Sequence, residues 1–187
     1  MEVIYRRKKN KMINELMVER IIDLLCNMLN INISWDYTIN NNELPKEVTA
    51  VFLKPEEIKL YSNGLINEPF IIINKDYNSN DTELIFISSI AHECFHAWQW
   101  FNRKKKIIYE QEFNDGFNMR GKDWFNCPEY LNRQIELEAY VFQNEFLHFI
   151  TNDNSIAIEV IKYLDQDKMK EAKKWIDSII DDFKRKH

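Results

Sequence analysis

The chain has 187 residues, 45% of them apolar and 13% aromatic, enough to bury one substantial core but few for two ordinary domains, so a single domain over 1–187 is expected. Its 30 acidic against 25 basic side chains leave a net charge of −5, which argues against a nucleic-acid role built on phosphate neutralisation. The stretch from Met1 to Lys9 has charge but no apolar run after it, so neither a secretory signal nor a membrane anchor is expected; Cys26, Cys94 and Cys127, odd in number and without framework spacing, fit a reducing cytoplasm.

From the N-terminus, Ile13, Leu16, Met17, Ile21, Leu24, Leu25 and Met28 recur at helical spacing and predict an amphipathic helix over about 12–29. The period then changes. Ile31 to Ile39, Val48 to Leu53, Ile58 to Tyr61 and Phe70 to Asn74 are short β-branched or aromatic runs separated by Asn, Pro and Gly, which suits a small, mostly antiparallel sheet over about 31–74. Ser62-Asn63-Gly64 is a turn signal, so Ile58 to Tyr61 is expected to pair with Phe70 to Asn74 as a neighbouring strand.

Next comes a helix. Asn80 and Glu83 stand in capping-box spacing, and neither Gly nor Pro interrupts Leu84 to Trp100. Ile85, Ser89, His92, His96 and Gln99 fall along one stripe, while Ile87, Ile90, Ala91, Phe95 and Trp98 spread an apolar surface around the remainder, so the helix is buried with its polar stripe toward a cleft. His92-Glu93-Cys94-Phe95-His96 is the chemically decisive segment. Two imidazoles four apart on a helix point the same way and can hold one zinc ion, and the glutamate after the first would act as general base toward the attacking water. Cys94 points away from that stripe and is expected to pack.

A catalytic zinc needs a third protein ligand, its fourth position being left to water. The extended pattern with a third histidine six residues on fails, because position 99 is Gln and position 102 is Asn. His148 is one candidate; the acidic residues of Arg133-Gln134-Ile135-Glu136-Leu137-Glu138-Ala139-Tyr140 are stronger ones. Asn126, Pro128 and Glu129 signal the start of a second helix there, running uninterrupted to about Ile150. Between the two helices, Lys104 to Cys127 holds Gly116 and Gly121 among Phe113, Phe117, Trp124 and Phe125, which suits a loop covering a pocket, with Trp98, Trp100 and Tyr109 at its base. After the break at Thr151 to Asn154, Ile156 to Leu164 and Lys168 to Phe183 read as closing helices within about 155–184.

The two central helices, roughly Leu84 to Phe149, resemble the gluzincin metallopeptidases, which join His-Glu-x-x-His on one helix to a ligand glutamate in a Glu-x-x-Ala context on the next. The resemblance implies a zincin-like α+β fold whose sheet packs on the motif helix, the ligand-glutamate helix and the closing helices, with Phe70 to Asn74 as the exposed edge strand that could pair with an extended peptide. It implies zinc held by His92, His96 and Glu136, the glutamate three before Ala139, with peptide-bond hydrolysis in which Glu93 is the base. Glu136, Ala139, Tyr140 and Gln143 share a helix face, whereas Glu138 points about 160° away from Glu136. Many gluzincins have an aspartate four residues after the ligand glutamate; Tyr140 stands here. Tyr130, Arg133 and Tyr140 are the candidates for an oxyanion donor. The substrate would be a peptide or protein, with neither nucleic acid nor membrane as partner. Two other readings stay open: a repressor-directed protease of ImmA/IrrE type, and a non-catalytic zinc-binding interaction module.

Overall fold

The computed structural model describes residues 15–38, 48–61, 68–74, 83–115 and 127–187. Within these the chain is mostly helical with a small mixed sheet, in keeping with an α+β class. The first helix, α1, is Glu15–Leu29, with Val18, Ile21, Ile22, Leu25, Met28 and Leu29 buried on one face. It ends where Asn30 takes φ 51°, a left-handed conformation that asparagine tolerates, so that the Ile31 N–H reaches back to the Cys26 carbonyl at 3.0 Å and closes the last turn.

Three strands follow: β1 (Ser34–Thr38), β2 (Ala50–Leu53) and β3 (Phe70–Asn74). Their order is β1-β3-β2, with β3 parallel to β1 and antiparallel to β2. This corrects two expectations. The sheet is mixed, and Phe70 to Asn74 is its central strand, not an edge. The physical reason is visible in the run Phe-Ile-Ile-Ile, apolar at successive positions, which suits a strand flanked on both sides; Ile71 and Ile73 are fully buried.

Ile58 to Tyr61 is not a strand either. It belongs to helix α2 (Pro55–Tyr61), whose signals are Pro55 in the first turn and Glu57, whose carboxylate accepts the Lys54 backbone N–H at 2.8 Å. The turn Ser62-Asn63-Gly64 and the capping residue Asn80 lie outside the described residues.

Helix α3 (Glu83–Asn102) contains the motif and is buried along most of its length. A 3₁₀ turn at Arg103–Lys105 leads into α4 (Ile107–Asp115), so much of the expected loop between the ligand helices is helical. Tyr109 and Phe113 of α4 insert beside Trp100 and Ile135 in a small aromatic cluster. Gly116, Phe117, Gly121, Trp124, Phe125 and Asn126 lie outside the described residues.

The second ligand helix is broken rather than continuous. A single turn, α5 (Pro128–Leu131), ends at Asn132, Arg133 is extended at ψ 145°, and α6 (Gln134–Thr151) then starts afresh. Cys127, not Asn126, holds the N-cap position of α5. The first two backbone N–H groups of α6 are satisfied by Glu112 of α4, whose Oε1 accepts from Gln134 at 3.0 Å and Oε2 from Ile135 at 2.9 Å. The cap comes from another element, so nothing local announces it.

Ile156 to Leu164 forms a 3₁₀ segment, Glu159–Tyr163, instead of a helix of α type. The closing helix α7 (Gln166–Lys186) is capped by Asp165, which accepts from the Asp167 and Lys168 N–H groups, and it buries Ala172, Ile176 and Ile180 at intervals of one turn. Helices α1, α3, α6 and α7 contribute to one apolar cluster. Phe95 lies in it between Phe142 of α6 and Trp175 of α7, with ring centroids 4.6 and 5.7 Å away. Among the described residues no helix is long and apolar enough to cross a membrane.

Candidate metal centre

Because α3 is helical through the motif, His92 and His96 project from one face, one turn apart. Their Nε2 atoms are 3.0 Å from each other, and each lies 3.6 Å from Oε2 of Glu136, which enters from the first turn of α6. All three side chains are buried, and they form the one candidate metal-binding group of three or more His, Cys, Asp or Glu among the described residues. A tetrahedral zinc about 2.0–2.2 Å from each ligand would set ligand atoms about 3.3–3.6 Å apart. The observed separations bracket that range. Two imidazole nitrogens and one carboxylate oxygen are also a donor set suited to zinc, so the residues fit such an ion.

The electrostatics agree. Burial alone would push the Glu136 carboxyl up, yet the adjacent His96 and His92 hold it well below the usual carboxylate range. Burial likewise opposes a charge on His96, but the Glu136 carboxylate outweighs it and raises that imidazole to about 9. Both shifts describe a buried pocket that favours an added positive charge between the imidazoles and Glu136, which a divalent cation supplies.

Glu136 is held from behind. The Tyr130 hydroxyl donates to its Oε1 at 2.6 Å, leaving Oε2 turned to the imidazoles. Burial, then the Glu136 carboxylate, push the Tyr130 phenol far above its ordinary value, so it stays a neutral donor. Tyr140, one turn after Glu136, lies against His92 with ring centroids 4.3 Å apart; burial and the carboxylates of Glu136 and Glu93 keep its phenol protonated too. Arg133 is directed elsewhere, donating to the Glu112 backbone carbonyl and so docking α4 onto the start of α6.

Glu93 sits beside the cluster without joining it. Its Oε2 accepts the Phe52 backbone N–H of β2 at 2.8 Å. Burial raises its pKa, while His92, His96 and that hydrogen bond pull the other way. The Phe52 ring is 6.3 Å from His96, and Phe113 completes an aromatic flank 6.5 Å from the same imidazole.

Other candidates fall away from the cluster. His148 places Nε2 2.6 Å from the Ile156 carbonyl, between α6 and the segment after it. Cys94 is fully buried, which pushes its thiol well above the ordinary range. Trp98 stacks on Phe95 and Trp175, and Trp100 meets Phe113 edge to face, so both tryptophans serve packing. The residues that sequence reasoning left without a role are Gln99, Glu138 and Phe52. Gln99 had a signal, its place on the histidine stripe one turn after His96.

No family model, curated protein or solved structure matches this chain in the comparisons made with it.

Proposed function

We propose that this chain is a zinc-dependent metallohydrolase of gluzincin type, acting as a peptidase. The supporting observation is the convergence of His92, His96 and Glu136 within bonding reach of one ion, with Glu93 set beside them on the same helix and held off the ligand set by Phe52. A purely structural metal site has no use for such a carboxylate, which favours catalysis over an inert binding module.

When bound, zinc would polarise the scissile carbonyl and lower the pKa of water at the open coordination position. Glu93 takes the proton from the attacking water and returns it to the leaving amine; burial raises its pKa above that of an exposed glutamate, while His92, His96 and the Phe52 N–H pull the other way. Tyr140, a neutral phenol against His92, is the chain's candidate donor to the carbonyl oxygen as charge develops there. Tyr130 keeps Glu136 oriented. Arg133, spent on docking α4, drops in rank as an oxyanion donor.

The sheet supports a place for such a substrate. Among the described residues β2 is an edge strand whose outer Phe52 N–H reaches Glu93, so an extended peptide pairing along β2 would lie beside that carboxylate. The test is metal content measured beside turnover of a mixed peptide library, on protein never exposed to chelator or nickel resin. About one zinc per chain together with metal-dependent cleavage is expected. Stoichiometry near zero, with no uptake on adding zinc, ends the proposal.

A further inference from the structure

Behind His96 runs a buried line of polar side chains that the ligand set does not account for. Gln99 is fully buried, and its Oε1 lies 2.9 Å from Nδ1 of His96. Its Nε2 lies 3.0 Å from the Ile135 carbonyl oxygen and 3.3 Å from Oε2 of Glu138. Glu138, only 1% exposed, accepts in turn from the Tyr109 hydroxyl and, at 2.7 Å, from Nε2 of Gln134, with the Lys106 ammonium 3.6 Å from its Oε1.

The chemistry of these partners fixes the direction of every bond. A backbone carbonyl and a carboxylate offer only lone pairs, so the nitrogen end of Gln99 must face Ile135 and Glu138 and its oxygen end must face His96. An amide oxygen only accepts. Nδ1 of His96 therefore carries a ring hydrogen, which leaves Nε2, on the side of His92 and Glu136, as the nitrogen whose lone pair would go to a bound metal. Nδ1 of His92, in contrast, is buried with no hydrogen-bond partner among the described residues, so this support is given to one histidine of the pair.

We propose that Gln99 and Glu138 are positioning residues for the metal: Glu138, acting through the Gln99 amide, sets the tautomer and ring orientation of His96. The two glutamates of Glu136-Leu137-Glu138 then serve one centre from different sides of α6, Glu136 as ligand and Glu138 from behind a ligand histidine. Their divergence of about 160° is what makes the division workable. Tyr109, Lys106 and Gln134 hold Glu138 in place, so α4 and the turn before it are tied to the metal centre. The inference rests on the metal-binding reading of His92, His96 and Glu136.

The test is zinc affinity by competition with a chromophoric chelator, on wild type, Gln99→Met, Gln99→Glu and the double variant Gln99→Glu/Glu138→Gln. Gln99→Met keeps the length but removes the acceptor, and zinc affinity is expected to fall roughly 10- to 100-fold. Gln99→Glu alone sets two carboxylates against each other. The double variant keeps the net charge and reverses the polarity of the link, with a carboxylate accepting from His96 and an amide at 138 donating to it; the Ile135 carbonyl lacks its donor in both variants, so the double variant should recover part of the affinity lost in Gln99→Glu. A slowly exchanging His96 Nδ1–H in the zinc-loaded, ¹⁵N-histidine-labelled protein should be present in wild type, lost in Gln99→Met and restored in the double variant. Circular dichroism of the metal-free forms checks folding. If Gln99→Met does not fold, the comparison of Gln99→Glu with the double variant decides alone. A folded Gln99→Met that binds zinc as tightly as wild type, or a double variant no better than Gln99→Glu, overturns the positioning role while leaving the ligands standing. A wild type that takes up no zinc overturns both.

Discussion

The carboxylate of Glu93 is seated on the backbone of Phe52, whose N–H it accepts at 2.8 Å across the junction of α3 and β2. This one bond ties the proposed base to the strand proposed to hold substrate. Phe52 spends its outward N–H on Glu93, so a peptide paired along β2 must use the strand's other backbone groups and would lie directly beside the base.

Replacing Glu93 with Gln should leave zinc content almost unchanged and lower peptide turnover by at least about a hundredfold, because an amide has the shape of the carboxylate but cannot take a proton. The amide oxygen can still accept from Phe52, so β2 keeps its seat. His92→Ala should differ by losing both zinc and activity. Metal analysis and turnover, run side by side on wild type and both variants, separate the outcomes. A Glu93→Gln protein that cleaves as well as wild type would refute the mechanism.

Glu136→Ala removes a proposed ligand, whereas Glu138→Ala removes a proposed support two hydrogen bonds behind His96. Chelator competition should therefore show a larger loss of zinc affinity for Glu136→Ala than for Glu138→Ala, the latter staying within the roughly 10- to 100-fold that an outer partner is worth. The reverse order would mean that the wrong glutamate has been assigned to the metal.

What was legible in the sequence follows from how local each signal is. The motif helix and its stripe emerged because periodicity and the lack of Gly and Pro depend only on neighbours along the chain; α1 and α7 were readable for the same reason. Glu136 was found by its resemblance to a pattern. Strand order was not legible, since pairing β3 with both β1 and β2 is a long-range choice, although the unbroken apolar run at Phe70 to Ile73 already pointed to a central strand. Pro55 and Glu57 announced a helix that the β-branched and aromatic content around Ile58 to Tyr61 masked. The break at Asn132–Arg133 and the link from Glu138 to His96 were out of reach, because Glu112 and Tyr109 reach them from a different element.

Between α6 and α7, Glu145 and Lys173 form a pH-sensitive clasp. Burial pushes the Glu145 carboxyl up, but Lys173, with His148, more than offsets this and holds it below its ordinary value of 4.5. A group with a lowered folded-state pKa adds stability that is present above the unfolded value and is lost as pH falls through the folded one. Unfolding temperature should thus drop on acidification from about pH 4.5 downward, and the drop should be shallower in Lys173→Met. The measurement is thermal unfolding of both proteins across that range. Parallel curves would show that Lys173 does not set the Glu145 titration.

The last prediction concerns the start of α6, where Glu136 must be presented to the histidines. Glu112 caps this helix with both carboxylate oxygens, and Arg133 fastens the same stretch through the Glu112 carbonyl. Glu112→Ala leaves the N–H groups of Gln134 and Ile135 without their partner. Loss of a helix cap costs about 0.5–2 kcal/mol. For a chain of this size each kcal/mol is worth about 2–4 °C, so the unfolding temperature of chelator-treated protein should fall by about 1–8 °C. Glu112→Gln, with one acceptor oxygen in place of two, should fall between wild type and the alanine variant. Amide exchange at Gln134 and Ile135 should quicken in the same order. Since Glu136 lies within the first turn that this cap orders, zinc affinity should weaken along with it, even though Glu112 is no ligand. If the alanine variant melts with wild type and its two amides exchange at the wild-type rate, Glu112 is not what begins α6, and the break before it needs another cause.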